Sequence, residues 1–452
     1  MKRLIKYDLA QWKVSRIRKS LVIRGARQVG KTYAVREFGK SFTYFVEINF
    51  EKNPEFISVF EKNLDPIRII NTLVAMTKKI IIPGETLLFF DEIQACPKAM
   101  IALRYFYEEM FALHVIAAGS LLDFAIEKVG VPVGRVQFYY LYPMSFMEYL
   151  ASCGNTALFE MILMQPTEKA LDTIFHNLLF ELLGRYMLLG GMPAVIAESL
   201  KKDNLSDAYR LHHMIIDSYR DDFPKYANKF QIKYVETLFN RIPHCIAQPF
   251  KFSHIQGNYQ KRELEPALSL LEKAGVIHKV YQTAGNGIPI GAEANFEKFK
   301  LLFLDVALNQ AMLGNNVDIS TWLLNPLEAF VNKGALTEAF VGQELLAYSP
   351  DYLQTKLYYW HREKQGSNAE VDYVIQLNEK IIPVEVKSGK GTTLKSLHLF
   401  LENKPQSPFG IRFSIQNYSI ENKLHSYPLY AIAGFLSKNN VELRERLHSL
   451  LE

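Results

Sequence analysis

The stretch LVIRGARQVGKT, Leu21 to Thr32, constrains this chain more than any other. An apolar run is followed by two glycines with four residues between them, then by Lys31 and Thr32. The apolar run has the character of a buried strand, and the residues after Lys31 have helical spacing. A strand, a Gly-rich loop and a helix in that order turn backbone N–H groups and a helix N-terminus toward one concavity, which suits an anion. The spacing G-x-x-x-x-G-K-[ST] in this setting predicts a phosphate cradle made by Gly25, Ala26, Arg27, Gln28, Val29, Gly30, Lys31 and Thr32. The ligand expected there is ATP, with Lys31 reaching the β and γ phosphates and the Thr32 hydroxyl on Mg2+.

The surroundings repeat the same alternation. Short apolar runs recur as SLVIRG, FTYFVEINF, TLLFFDE, HVIAAGS and VQFYYLYP, with helical stretches such as PKAMIALRYFYEEM between them. Alternating strands and helices predict an α/β fold with a parallel sheet covered on both faces. The run TLLFFDE delivers Asp91 and Glu92 at the end of a buried strand. Asp91 is the expected Mg2+ ligand, and Glu92 the expected general base on the attacking water. HVIAAGS ends at Ser120, whose hydroxyl is a candidate to position that water, and Arg135 is a candidate to stabilise transition-state charge, in the same chain or across a subunit boundary.

Together, GARQVGKT, LLFFDEIQACP, AAGSLLDF and GRVQFYYLYPMSFMEYL resemble the AAA+-type P-loop ATPases, and within them one bacterial and archaeal family, AAA_14-like, in which a C-terminal domain of unknown function, DUF4143, follows. The resemblance implies a P-loop ATPase domain, a helical lid, a winged helix, and a C-terminal α/β domain with a restriction-endonuclease-like core. It extends over nearly the whole chain. Ser120 departs from it, because Asn or Thr is commoner at the sensor position.

Downstream composition agrees with such an order. We place an ATPase domain at 1–155, a helical lid at 156–228, a winged helix-turn-helix at 229–295 and a nuclease-like domain at 296–452. The lid segment is helical, as in EKALDTIFHNLLFELLGRYMLL, and is broken by GGMP. The stretch ELEPALSLLEKAGVIHKVYQTAGNG reads as a helix stopping at Gly275, then a strand, then a turn. Lys251, His254, Lys261 and Arg262 surround its expected recognition segment, where cations can meet nucleic-acid phosphates or a protein partner.

A second chemical pattern lies in EVDYVIQLNEKIIPVEVKSG. Residues two apart in a strand share a face, so Glu370 pairs with Asp372 in direction, and Glu385 with Lys387. A turn near Asn378 would let Asp372 and Glu385 converge on one cation, with Lys387 beside them. Two carboxylates and a lysine serve metal-dependent phosphodiester hydrolysis. With an acid on the preceding helix, Glu338 first and Glu344 second, the set resembles the PD-(D/E)xK nucleases. Such a domain can hold DNA without cutting it.

At 452 residues the chain is too long for one ordinary core, and two to four domains are expected. Residues 1–40 carry 12 Lys and Arg against 2 acids, so a net +10 sits there and −5 in the rest. That basic start points to phosphates, to acidic surfaces or to a solvated rim around the loop. Cys96, Cys153 and Cys245 show no CxxC spacing, which points to a reducing, cytoplasmic setting. No apolar run reaches the length of a membrane span. The leading expectation is a Mg2+- and ATP-dependent ATPase whose nucleotide state controls a nuclease-like, nucleic-acid-binding domain, in a possible homo-oligomer. The alternatives are an ATP-dependent switch or scaffold that binds protein or DNA without cleavage, and a chain that holds ATP structurally.

Overall fold

Successive residues of the apolar runs point to opposite sides of a sheet, and each side is buried under its own helices. The computed structural model describes residues 1–130, 134–201, 205–314, 325–331, 333–364, 367–389 and 394–452. The strands β1 (Ser20–Arg24), β2 (Tyr44–Asn49), β3 (Thr86–Asp91), β4 (His114–Ala118) and β5 (Val136–Tyr140) form one sheet in the order β2-β3-β4-β1-β5. Every pairing in it is parallel. Leu21, Ile23, Leu87 and Phe89 pack with Trp12, Val35 and Phe38 on one face. Val22, Leu88 and Phe90 pack with Ile69, Leu73, Met100 and Leu103 on the other. All six residues of β3 are buried, so the acid at its end is delivered by a strand that has no solvent face.

The middle of the chain is helical. Helix Thr173–Leu189 turns through 120° into Pro193–Lys201 at the GGMP segment. Asp305 explains that turn. Its buried carboxylate accepts from Gly191 N–H at 2.6 Å and from Ala307 N–H and Leu308 N–H, capping helix Val306–Met312. A Cβ on Gly190 would lie 2.2 Å from Asp305 Oδ1, so the site admits only glycine. Among the described residues, no single helix is long and apolar enough to cross a membrane.

Helices Lys229–Arg241 and Lys261–Lys273 precede an antiparallel pair, β6 (Ile277–Thr283) and β7 (Ala294–Phe303). That pair does not stand alone. β6 also runs parallel to β8 (Leu357–Lys364), which pairs with β9 (Ser367–Val371), giving the order β7-β6-β8-β9. The expected boundary at 295 therefore falls inside β7, and this sheet draws strands from both sides of it. The last sheet contains β10 (Tyr373–Leu377), β11 (Lys380–Lys387), β12 (Gly410–Ser414), β13 (Ser419–Glu421) and β14 (Leu424–Pro428), ordered β10-β11-β12-β14-β13. β10 and β11 form an antiparallel hairpin through Asn378, which takes a left-handed φ of 54°.

The two ends of the chain meet. Arg446, only 2% exposed, donates to Asp8 at 3.0 Å and also pairs with Asp351. Asp351 O in turn accepts from Tyr140 N–H at the end of β5.

Candidate nucleotide site and the C-terminal acidic cluster

The loop Gly25–Gly30 leaves β1 at the carboxyl edge of the parallel sheet, beside the ends of β3 and β4. Gln28 (φ 65°) and Gly30 (φ 96°) both lie in the left-handed region, and this change of hand curls successive amides into an anion-binding nest. A Cβ on Gly25 would come within 2.2 Å of Leu141 O, so no larger residue fits there. Helix Lys31–Gly39 starts directly after the loop.

Lys31 is buried, and its ammonium donates to Gly25 O and Ala26 O, each at 2.8 Å. Burial pulls its pKa down to about 8 against the opposing pull of Glu92 and Asp91. Thr32 Oγ1 lies 3.1 Å from Asp91 Oδ1, and Asn49 Nδ2 donates to Asp91 Oδ2 at 3.0 Å. Burial raises the Asp91 pKa, helped by Glu92, while the Thr32 and Asn49 hydrogen bonds oppose it. A hydroxyl and a carboxylate in contact below a phosphate nest are a donor set that fits Mg2+. The residues present thus fit both ATP and its metal.

Glu92 has a left-handed φ of 50° at the strand end, and its Oε2 accepts from Gln94 Nε2 at 2.6 Å. Gln94 Oε1 is buried and has no hydrogen-bond partner. A Cβ on Gly119 would meet that oxygen at 1.9 Å, so Gly119 makes room for Gln94. Ser120 follows and is half-buried. Gly25, Ala26 and Ser120 line a cavity of about 150 Å³, into which Lys273, Lys279 and Lys356 also project.

Arg135 is placed elsewhere. It precedes β5, whose first residue pairs with Ser20 at the start of β1, so it lies at the opposite end of the sheet from the loop. Five residues of strand separate the two ends, about 15 Å. Its exposed guanidinium donates to Glu108 at 2.5 Å. Arg135 and the loop thus stand at opposite ends of the sheet within one chain.

The rim of the loop is held by distant segments. Arg27 donates to both oxygens of buried Asp222 at 2.8 Å, and Tyr219 donates to Arg27 O at 2.6 Å. Gln28 donates to Ser218, and Arg3 links Val29 O to Glu148. Gly275, with φ 72°, approaches Ala26 so closely that a Cβ there would lie 3.2 Å from Ala26 N. Much of the basic start is therefore engaged internally: Arg24 pairs with Asp123 and Arg36 with Glu47.

Lys251, His254, Lys261 and Arg262 are all exposed, on the segment leading into helix Lys261–Lys273 and on its first residues.

At the C-terminal cluster, the fold brings Glu338 and Asp372 together but places a buried lysine between them. Lys300 Nζ lies 2.8 Å from Glu338 Oε1, 2.5 Å from Glu370 Oε1 and 4.0 Å from Asp372 Oδ1. Asp372 Oδ2 accepts from Val386 N–H at 2.7 Å. Lys387 donates to Glu385 at 2.7 Å, and burial, followed by Asp372, pushes the Glu385 pKa up to about 7. Glu344 stands apart: it accepts from Phe146 N–H and from Tyr348 OH. Among the described residues, no three His, Cys, Asp or Glu side chains are placed to hold a metal ion. The cation that the fold sets beside Glu338 and Asp372 is Lys300.

The sequence reading did not single out Asn49, Gln94 or Lys300. Asn49 ends β2 in register with Asp91, but that signal exists only once the strands are paired. Lys300 follows Lys298 and opens the apolar run KLLF, a signal too weak to mark a buried charge.

Comparison with known proteins divides the chain. Residues 17–150 match the model of an AAA domain, AAA_14. Residues 180–318 and 333–432 match two domains of unknown function, DUF8612 and DUF4143. No curated protein matches the chain. Among solved structures, a Walker-type ATPase of Pyrococcus abyssi, PABY2304, is 16% identical, with 69% of this chain and 93% of that one covered at a TM-score of 0.42. The ORC1 protein of Aeropyrum pernix in complex with DNA is 11% identical, with 69% and 90% covered at 0.27. Resemblance at these scores carries no argument about activity. Residues 17–150 are thus similar to an AAA domain, and residues 333–432 to the domain of unknown function DUF4143.

Proposed function

We propose that the chain binds and hydrolyses ATP with Mg2+ at the loop Gly25–Thr32, and that the nucleotide state is passed to the downstream helices and sheets. The observation that carries this reading is the contact of Thr32 with Asp91 beneath the nest, with Lys31 at its floor. Loop amides and Lys31 bind the phosphates, which requires Lys31 to exchange the carbonyls of Gly25 and Ala26 for phosphate oxygens. Thr32 and Asp91 hold Mg2+, which supplies charge neutralisation at the β and γ phosphates. Glu92 is the group that accepts a proton from the attacking water, and Gln94 orients its carboxylate. Ser120 positions that water. Lys356 adds positive potential on the side of Ser120, where Lys273 and Lys279 are paired with Glu127 and Glu272.

In this reading the contacts Arg27–Asp222 and Ala26–Gly275 carry the state of the loop outward. The division into ATPase domain, helical lid, winged helix and C-terminal domain belongs to this proposal. So does contact of the Lys251–Arg262 segment with DNA or another nucleic acid. Lys300 within the acidic cluster favours the switch that holds a partner over the nuclease. The test is ATP binding to the purified chain with and without Mg2+, followed by binding and cleavage of a DNA and RNA panel in each nucleotide state. ATP binding unchanged by Lys31→Ala would sink the site. Cleavage abolished by Asp372→Ala would restore the nuclease reading.

A further inference from the structure

The acidic cluster around Glu338, Glu370 and Asp372 holds a cation already, and that cation belongs to the chain. Lys300 is 1% exposed at its side chain, and its ammonium touches Glu338 and Glu370 directly, with Asp372 at 4.0 Å. The ring of Tyr359 lies 5.1 Å away and presents a face that attracts a cation. An ammonium buried without partners would shed its proton. Here three carboxylates stand within 4.0 Å, so the ammonium is not left without partners.

Two of the three acids are already engaged by that ammonium. Mg2+ demands near-octahedral oxygen ligands at about 2.0–2.1 Å. Asp372 has one oxygen committed to Val386 N–H, and Glu385 has one committed to Lys387. The other oxygen of Glu385 is buried without a hydrogen-bond partner. A divalent ion bound by Glu338, Glu370 and Asp372 would have to displace the Lys300 ammonium and leave it buried without partners.

We propose that Lys300 is a built-in counter-ion that takes the position a divalent metal would hold, so that this chain binds no metal at the Glu338–Glu370–Asp372 cluster. The cluster then acts as an anchor instead of a hydrolytic centre. Lys300 lies on β7 opposite Val280 of β6, and β6 begins two residues after Gly275, the glycine packed on Ala26 of the phosphate loop. The three acids come from helix Gly334–Ala347, from β9 and from the residue after β9. One buried lysine therefore ties the hairpin nearest the loop to the elements of the C-terminal region.

The test is Mn2+ binding to the nucleotide-free, full-length protein, read by the electron paramagnetic resonance of free Mn2+ and by the metal's effect on melting temperature. Wild type is expected to show no Mn2+ site that Asp372→Asn removes. Lys300→Met is expected to gain one, binding Mn2+ at least about tenfold tighter than wild type and melting higher with Mn2+ than without. The added change Asp372→Asn is expected to abolish that gain. Lys300→Arg keeps the charge and is expected to fold and to bind no Mn2+. A wild-type Mn2+ site lost in Asp372→Asn overturns the proposal, whether or not Lys300→Met folds. So does a folded Lys300→Met that gains no Mn2+. Neither readout involves ATP, so a failure here is distinct from a failure of the ATPase reading.

Discussion

Thr32 Oγ1 and Asp91 Oδ1 stand 3.1 Å apart, although 59 residues separate them in the chain. The contact joins the start of the helix after the loop to the end of the buried strand β3. In the proposed function these two side chains hold the metal. Asp91→Asn keeps the shape and the hydrogen bond to Thr32 but removes the charge. ATP turnover measured against Mg2+ concentration should fall roughly a hundredfold, and more Mg2+ should restore only part of it. An unchanged Mg2+ dependence would remove Asp91 from the site.

Asp222 is 4% exposed and receives two hydrogen bonds from Arg27. Asp222→Ala leaves Arg27 and Lys225 without their shared acid. A loss of about 1–3 kcal/mol in urea unfolding is expected. A smaller rise in melting temperature on adding ATP should accompany it, because the outward link from the loop is cut. A full nucleotide-dependent rise would separate stability from coupling and count against the link.

Arg135→Ala should leave ATP turnover of the monomer within about twofold of wild type, since surface pairs such as Arg135–Glu108 contribute little. Turnover measured across a range of protein concentrations checks this. A large loss that appears only where the chain self-associates would assign Arg135 to a neighbouring subunit's site.

Glu344 gives a pH prediction. Burial raises its pKa from 4.5 to about 8, against the hydrogen bonds from Tyr348 and Phe146 N–H. Between those values the folded chain holds a proton that the unfolded chain has released, so this group's contribution to stability falls as pH rises through the window. Glu344→Gln removes the titration. Its stability relative to wild type should improve from pH 5 to pH 8 by an amount on the order of 1 kcal/mol or more. Parallel pH profiles for the two proteins would contradict the assignment.

What the sequence reveals and what it hides follow from distance along the chain. Gly25–Thr32 and Asp91–Glu92 are local patterns, and their order and the strand before each are legible without coordinates. Asn49 and Gln94 act on those acids through strand register and a left-handed turn, which no local spacing reports. Arg135 shows the reverse. The sequence names it as a candidate without a position, and the parallel direction of β5 sets it at the far end of the sheet from the loop. In the C-terminal region the acids are legible and their counter-ion is not, because Lys300 arrives from a strand that pairs 38 residues before Glu338.

The most direct measurement is steady-state ATP turnover by wild type, Lys31→Ala and Glu92→Gln, with ATP binding measured in parallel. Wild type should hydrolyse ATP with Mg2+. Lys31→Ala should lose both binding and turnover, the latter by at least about a hundredfold. Glu92→Gln should keep ATP bound and lose turnover. A Lys31→Ala protein that turns over ATP at the wild-type rate would contradict the account.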